Sequence, residues 1–195
     1  MFTGIIEQTG EIVGIQENGT NRSFWIASPL SASLKVDQSV SHNGVCLTVE
    51  EVNADSHRVT AIDETLQKTN LGKWETGACL NLERCMQMNG RIDGHMVQGH
   101  VDTTATCSAV IEKTGSWEFT FSIDKKFAAL IIEKGSISLN GISLTIFNVT
   151  NDSFTVAIIP YTYEHTNMRF LEQGHIVNIE FDMIGKYVNR IMSLK

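Results

Sequence analysis

The chain has no apolar run long enough to cross a membrane as a helix. Its first residues, Met1-Phe2-Thr3-Gly4-Ile5-Ile6-Glu7, show neither a basic leader nor a sustained apolar segment, so a cytoplasmic protein is expected. Positive charge is scarce: 15 Lys and Arg stand against 22 Asp and Glu, for a net charge of −7. A surface of that sign repels phosphate backbones, which argues against a nucleic-acid partner. Four cysteines, Cys46, Cys79, Cys85 and Cys107, occur without a CxxC pair and are expected as free thiols. There is no HExxH helix, and His95, His100 and Asp102 lack the spacing of a metal site, so no metal is expected.

What the chain does contain is a copy of itself. Ser41-His42-Asn43-Gly44-Val45-Cys46-Leu47-Thr48-Val49 matches Ser138-Leu139-Asn140-Gly141-Ile142-Ser143-Leu144-Thr145-Ile146 at an offset of 97. The same offset pairs Asp55-Ser56 with Asp152-Ser153, Thr69-Asn70 with Thr166-Asn167, Asn81 with Asn178 and Glu83 with Glu180. Near the start, Gly4-Ile5-Ile6-Glu7 answers Gly99-His100-Val101-Asp102. A colinear series of this kind marks a tandem duplication with its junction near residue 97.

Each copy reads as short strands between turns. Glu11 to Gln16, Ser23 to Ala27, Cys46 to Val52, Arg58 to Ile62 and Cys79 to Glu83 are strand-like in the first copy. In the second, Thr106 to Ile111, Trp117 to Ile123, Ser143 to Val149, Ser153 to Ile159 and Ile176 to Phe181 repeat the series. Asn43-Gly44 and Asn140-Gly141 are tight-hairpin signals, because both residue types tolerate positive φ. Short helices are expected from Ser28-Pro29 and from Asp124 to Ile132. Many short antiparallel strands favour barrel closure, which removes exposed edges. The expected fold is all-β: two tandem homologous six-stranded antiparallel Greek-key barrels, residues 1–97 and 98–183, followed by a C-terminal helix over 184–195. In that tail Ile184, Tyr187, Val188, Ile191 and Met192 fall on one face. Such a short helix needs a partner, either its own barrel or the same helix of other subunits.

The opening Met1 to Glu7, the segment Asn43 to Val49, the junction Gly94-His95-Met96-Val97-Gln98-Gly99-His100-Val101-Asp102 and Asn140 to Thr145 together resemble the riboflavin synthase family, alpha-subunit type, built on lumazine-binding repeats. The resemblance covers essentially the whole chain. It implies a cofactor-free transferase that dismutates two molecules of 6,7-dimethyl-8-ribityllumazine. It also implies a homotrimer joined through the C-terminal helices, while association with lumazine synthase is left open. A lumazine- or flavin-binding antenna protein on the same barrels is the alternative.

By this resemblance, Cys46-Leu47-Thr48 and Ser143-Leu144-Thr145 are matched substrate-contacting segments. Thr60-Ala61-Ile62-Asp63-Glu64-Thr65 and Ala157-Ile158-Ile159-Pro160-Tyr161-Thr162 run along the ligand's other side. Gly4-Ile5-Ile6 and Gly99-His100-Val101 complete the pockets, with Lys134 a further contact. Donor and acceptor have different chemical roles, so positions where the copies differ are the better catalytic candidates. Cys46, or a water beside it, is expected to add to the pteridine if the thiol pKa is depressed. His100 is expected to shuttle the methyl proton. Ser143 and Asn140 assist at the other site, Ser39 and Asp182 sit close by, and Phe2 packs at the pocket mouth. Asn140 stands where some relatives carry Asp, and an amide cannot accept a proton at neutral pH.

Overall fold

The computed structural model describes residues 1–194 and contains two closed six-stranded antiparallel barrels. The first is made of β1 (Gln8–Asn18), β2 (Asn21–Ala27), β3 (Ser39–His42), β4 (Val45–Val52), β5 (Ser56–Ala61) and β6 (Cys79–Arg84). The second uses β7 (Thr103–Lys113), β8 (Ser116–Ser122), β9 (Ser136–Leu139), β10 (Ile142–Phe147), β11 (Ser153–Ile158) and β12 (Ile176–Phe181). Around the first barrel the order is β1-β2-β5-β4-β3-β6, with β6 closing onto β1, and the second repeats it. The out-of-order neighbours make this the Greek-key connection expected from the sequence.

Alternation decides which side chains fill each barrel. On β5, His57, Val59 and Ala61 point inward while Ser56, Arg58 and Thr60 point outward. On β8, Phe119 and Phe121 are fully buried and the residues between them are not. Each barrel thus has its own core, built around Phe24, Ile26 and Leu82 in the first and Phe119, Phe154 and Phe181 in the second. Closure leaves no unpaired sheet edge, so the outer faces are free to carry pockets.

The sequence reading misses β3 and β9, four-residue strands rich in serine and therefore weak in pattern. It also misplaces the helices. After Ser28-Pro29 only a single 3-10 turn forms, Ser31–Ser33, because the connection to β3 is too short for more. Asp124 does cap its segment, accepting from Lys126 N at 3.0 Å, but the turn is 3-10 and spans only Lys125–Leu130. The α-helices lie elsewhere: α1 (Asp63–Lys68), α2 (Pro160–His165) and the C-terminal α3 (Met183–Met192).

The two barrels meet at their Asn-Gly hairpins, related by a pseudo-twofold axis. Asn43 and Gly44 have φ of 48° and 80°, and Asn140 and Gly141 of 45° and 82°. A Cβ on either glycine would lie 2.8 Å from the other's backbone nitrogen, so only glycine permits the approach. Paired asparagines tie the junction: Asn81 Nδ2 donates to Asn140 O and Asn178 Nδ2 to Asn43 O, both at 3.0 Å. Asn70 N donates to Asn178 Oδ1 and Asn167 N to Asn81 Oδ1, both at 2.8 Å.

Candidate functional site

Two short segments outside the strands cross between the barrels. Glu83, buried on β6, accepts from Thr3 N at 2.6 Å, Thr3 Oγ1 at 2.7 Å and Gly4 N at 3.0 Å. The chain then runs over the second barrel, where Gly4 O accepts from Ser143 N at 2.8 Å and Ile6 packs on that barrel's core. The reverse crossing matches it. Glu180 on β12 accepts from Gln98 N at 2.6 Å, Gly99 N at 2.8 Å and His100 N at 2.9 Å. Gly99 O accepts from Cys46 N at 2.9 Å, and Val101 packs on the first barrel's core. Gly4 (φ +76°) and Gly99 (φ +81°) lie so close to the partner strand that a Cβ would come within 2.6 Å of Ser143 Cβ and Cys46 Cβ respectively. Each strap is held by its own barrel and lies on the other. Burial pushes both glutamate carboxyls above the usual range, and the strap N–H groups pull them back.

Under the first strap, the outer wall of the second barrel holds a pocket of about 430 Å³. Ser143, Leu144 and Thr145 of β10 form one side, Ala157, Ile159 and Thr162 the other, and Lys134 and Phe147 close the end. Lys134 Nζ stands 5.2 Å from the centroid of the Phe147 ring. The repeat offset of 97 places Cys46, Leu47, Thr48, Thr60, Ile62, Thr65, Asp37 and Glu50 at the matching positions of the first barrel. There Cys46 and Thr48 face outward beside Gly99, and Leu47 turns into the core.

Of the residues expected from the sequence, Lys134, Ser143, Leu144, Thr145, Ala157, Ile159 and Thr162 line the second-barrel pocket. The side chains of Ala61 and Ile158 are fully buried and point into the barrels, which leaves only their backbone groups towards the outer face. Phe2 is also fully buried, paired with Val97 through hydrogen bonds of 2.7 and 3.1 Å; it underlies the Gly99 strap and is not at a pocket mouth. Asn140 is a junction residue. Its Oδ1 accepts from Asn178 N at 2.9 Å and its carbonyl is held by Asn81, which leaves its amide no part in proton handling. Asp63 pairs with Gln67, and Glu64 with Lys68, on the exposed face of α1. Pro160 opens α2 and Tyr161 stacks on His165, between the pocket residues Ile159 and Thr162 in the chain.

The thiol of Cys46 is half-buried, and burial raises its pKa, against a smaller pull from the Ser39 hydroxyl. The depressed pKa expected of a thiolate nucleophile is therefore absent, and at neutral pH Cys46 is a thiol. His100 is exposed on the strap over the first barrel. Asp182 caps α3, accepting from Ile184 N at 3.0 Å.

Sequence reasoning weighed His95 only as a metal ligand and gave it no part in proton transfer. Its Nδ1 lies 2.6 Å from Ser143 Oγ, and its backbone N donates to Thr3 O at 3.1 Å. Burial lowers its pKa, with Asp182 acting in the opposite sense, so the imidazole is neutral near pH 7 and able to take a proton. A serine hydroxyl in a pocket with a neutral imidazole behind it is an arrangement for proton transfer. Among the described residues, no three His, Cys, Asp or Glu side chains gather as metal ligands would.

Twin closed barrels, each crossed by a strap from the other half, with an outer pocket on the second and the matching residues on the first, define a tandem-repeat protein with the makings of a small-molecule site. The family model for the lumazine binding domain matches residues 3–85 and again 98–182. Riboflavin synthase of Bacillus amyloliquefaciens is 39% identical over 98% of this chain and 90% of its own length. That of Escherichia coli K12 is 37% identical over 93% and 87%. Among solved structures, LumP complexed with riboflavin superposes with a TM-score of 0.87 at 25% identity, covering 93% of this chain and 99% of LumP. LumP with 6,7-dimethyl-8-(1'-D-ribityl) lumazine gives 0.85, also at 25% identity. The chain belongs to the riboflavin synthase family of lumazine-binding proteins, a family of transferases.

Proposed function

We propose that the chain catalyses the dismutation of two molecules of 6,7-dimethyl-8-ribityllumazine. One gives a four-carbon unit to the other, leaving riboflavin and 5-amino-6-ribitylamino-uracil. The observation that carries this reading is the pair of matched barrel faces, each crossed by a strap from the other half, the second of which holds a pocket. Two identical reactants call for two like sites. Holding both in register replaces a bimolecular encounter by an effectively unimolecular one, worth about 7–11 kcal/mol of barrel-imposed order. The acidic 7-methyl group of the lumazine supplies the carbon chemistry itself, so the reading calls for no metal or cofactor. The second pocket offers Ser143 and His95 for the methyl proton. The first offers the Cys46 thiol, with Ser39 beside it, and His100 above, to orient a water or the ring edge.

In this reading the reacting pair forms between the first pocket of one subunit and the second pocket of a neighbour. The exposed apolar face of α3 supports such an assembly. Ile184, Tyr187, Val188, Ile191 and Met192 are each 56–67% exposed, so the helix does not bury this face on its own barrel. It is tethered instead through Lys186 Nζ, 3.0 Å from Asp102 Oδ2. The LumP likeness favours an antenna role, but at 25% identity against 37–39% for the synthases.

Purified protein incubated with 6,7-dimethyl-8-ribityllumazine is expected to release one riboflavin for every two lumazines consumed, and light scattering to give the mass of three chains. Bound lumazine that changes its fluorescence without forming riboflavin would identify the antenna instead.

A further inference from the structure

The matched outer faces of the two barrels carry opposite charge. At the end of the second pocket stand Lys134 and Phe147, and Pro160-Tyr161 at the start of α2 fall between its wall residues Ile159 and Thr162. The repeat offset sets Asp37 and Glu50 against the first two and Asp63-Glu64 against the others. Four carboxylates replace a lysine, an aromatic ring, a proline and a tyrosine. The backbones correspond closely: Asp37 (φ 67°) and Lys134 (φ 64°) share the left-handed conformation, and each donates its N–H at 2.9 Å to the matching strand, at Val49 O and Ile146 O. Only the side chains were exchanged.

The acidic set is partly compensated. Glu50 accepts from Thr60 Oγ1 at 2.9 Å, at the position where Ala157 lines the second pocket, and lies 3.3 Å from Arg58. Arg58 is shared with Glu51, and Glu64 is paired with Lys68. Counting these partners, four acids and Glu51 face two cations, so this face of the first barrel stays negative. Lys134 has no carboxylate among its contacts in the salt bridges of the described residues; its neighbour is the face of Phe147.

From this asymmetry, and resting on the reading given under Proposed function, we infer that the lumazine in the second barrel is the one that loses its 7-methyl proton, its anion being held beside Lys134. The methyl C–H bond breaks, the electron pair spreads into the ring as the exomethylene anion, and the proton passes through Ser143 Oγ to His95, 2.6 Å away. The positive imidazolium and negative ring balance. The neutral lumazine then occupies the acidic first pocket, where an anion would be repelled. Lys134 acts here as an electrostatic positioning residue.

The test follows 7-methyl hydrogen–deuterium exchange in recovered 6,7-dimethyl-8-ribityllumazine, together with the pH profile of riboflavin formation, in the full-length protein. Lys134→Met is expected to slow exchange at least about tenfold and to move the rising limb of the profile upward by about one pH unit. Lys134→Arg should restore both, and the exposed Glu172→Gln should leave exchange within about twofold. Exchange unchanged in Lys134→Met, or slowed more by Glu50→Gln than by Lys134→Met, overturns the assignment. A wild-type protein that binds lumazine but makes no riboflavin fails at the earlier reading instead.

Discussion

Replacing Glu180 by alanine is expected to lower the unfolding free energy by about 3–5 kcal/mol and to cut riboflavin formation about a hundredfold or more. The carboxylate is 2% exposed and accepts three backbone N–H groups, from Gln98, Gly99 and His100. Without it those donors lose their side-chain acceptor, and each one left buried and unsatisfied, Gly99 N above all, costs about 1–3 kcal/mol. The strap lies on the first barrel, so the loss of function appears there although Glu180 belongs to the second. Glu83→Ala is expected to do the converse through Thr3 and Gly4. Urea denaturation and initial rates check both, with the exposed Glu172→Gln as a control. A Glu180→Ala protein as stable and active as the parent would show that the strap holds itself.

The second large effect lies inside the first barrel. His42 and His57 are fully buried, with Nε2 atoms 2.8 Å apart. His42 Nδ1 lies 3.0 Å from Val40 O, which can only accept, so Nδ1 carries the proton and His42 Nε2 is an acceptor. His57 Nε2 must then donate, and His57 Nδ1 accepts from Ser31 Oγ at 2.8 Å. Both rings are neutral, and an added proton on His42 would set two N–H groups against each other. Burial accordingly lowers His42 to about 3 and His57 to about 4, from 6.5. The sign follows directly. Above pH 6.5 neither state binds the extra protons and the full stability is present; below it the unfolded chain takes up two protons that the folded barrel refuses. Stability therefore falls as pH drops from 6.5 towards 4, by up to about 2.7 kcal/mol per unit for two groups. The raised carboxyls of Glu83 and Glu180 oppose this loss in part.

The second barrel has Ala128, Leu139 and Phe154 at the matching positions and lacks this liability. The first barrel is expected to unfold first on acidification. Transplanting the second barrel's residues, as Ser31→Ala with His42→Leu and His57→Phe, should remove most of the difference in urea stability between pH 7.5 and 5.5. An undiminished difference would place the acid sensitivity elsewhere.

The duplication made the fold legible. One offset predicted two barrels, their hairpins and their matched segments, because periodic burial and turn chemistry are local properties. The crossing of the straps was not legible, since Gly4-Ile5-Ile6 and Gly99-His100-Val101 read the same whichever barrel they cover. Only packing shows that Ile6 belongs to the second core and Val101 to the first. His95 escaped for a different reason. It precedes the second copy, and its counterpart would fall before residue 1, so comparing the copies could not single it out. Asn140 misled because a polar residue near Ser143 suggests chemistry, whereas its hydrogen bonds go to the junction. Cys46 was singled out for its identity, but its environment decides its protonation.

The most direct measurement is calorimetric titration of an 8-ribityllumazine lacking the 7-methyl group, which the proposed reaction cannot consume, into the whole protein and into Gly4→Ala, with amide hydrogen exchange to locate the bound ring. Two sites per chain are expected in the parent. In Gly4→Ala, whose new Cβ would press on Ser143 of the other barrel, one site should be lost and protection should vanish from β10 while persisting on β4. A single site in the parent, or loss of protection on β4 instead, would contradict the exchange of straps between twin pockets.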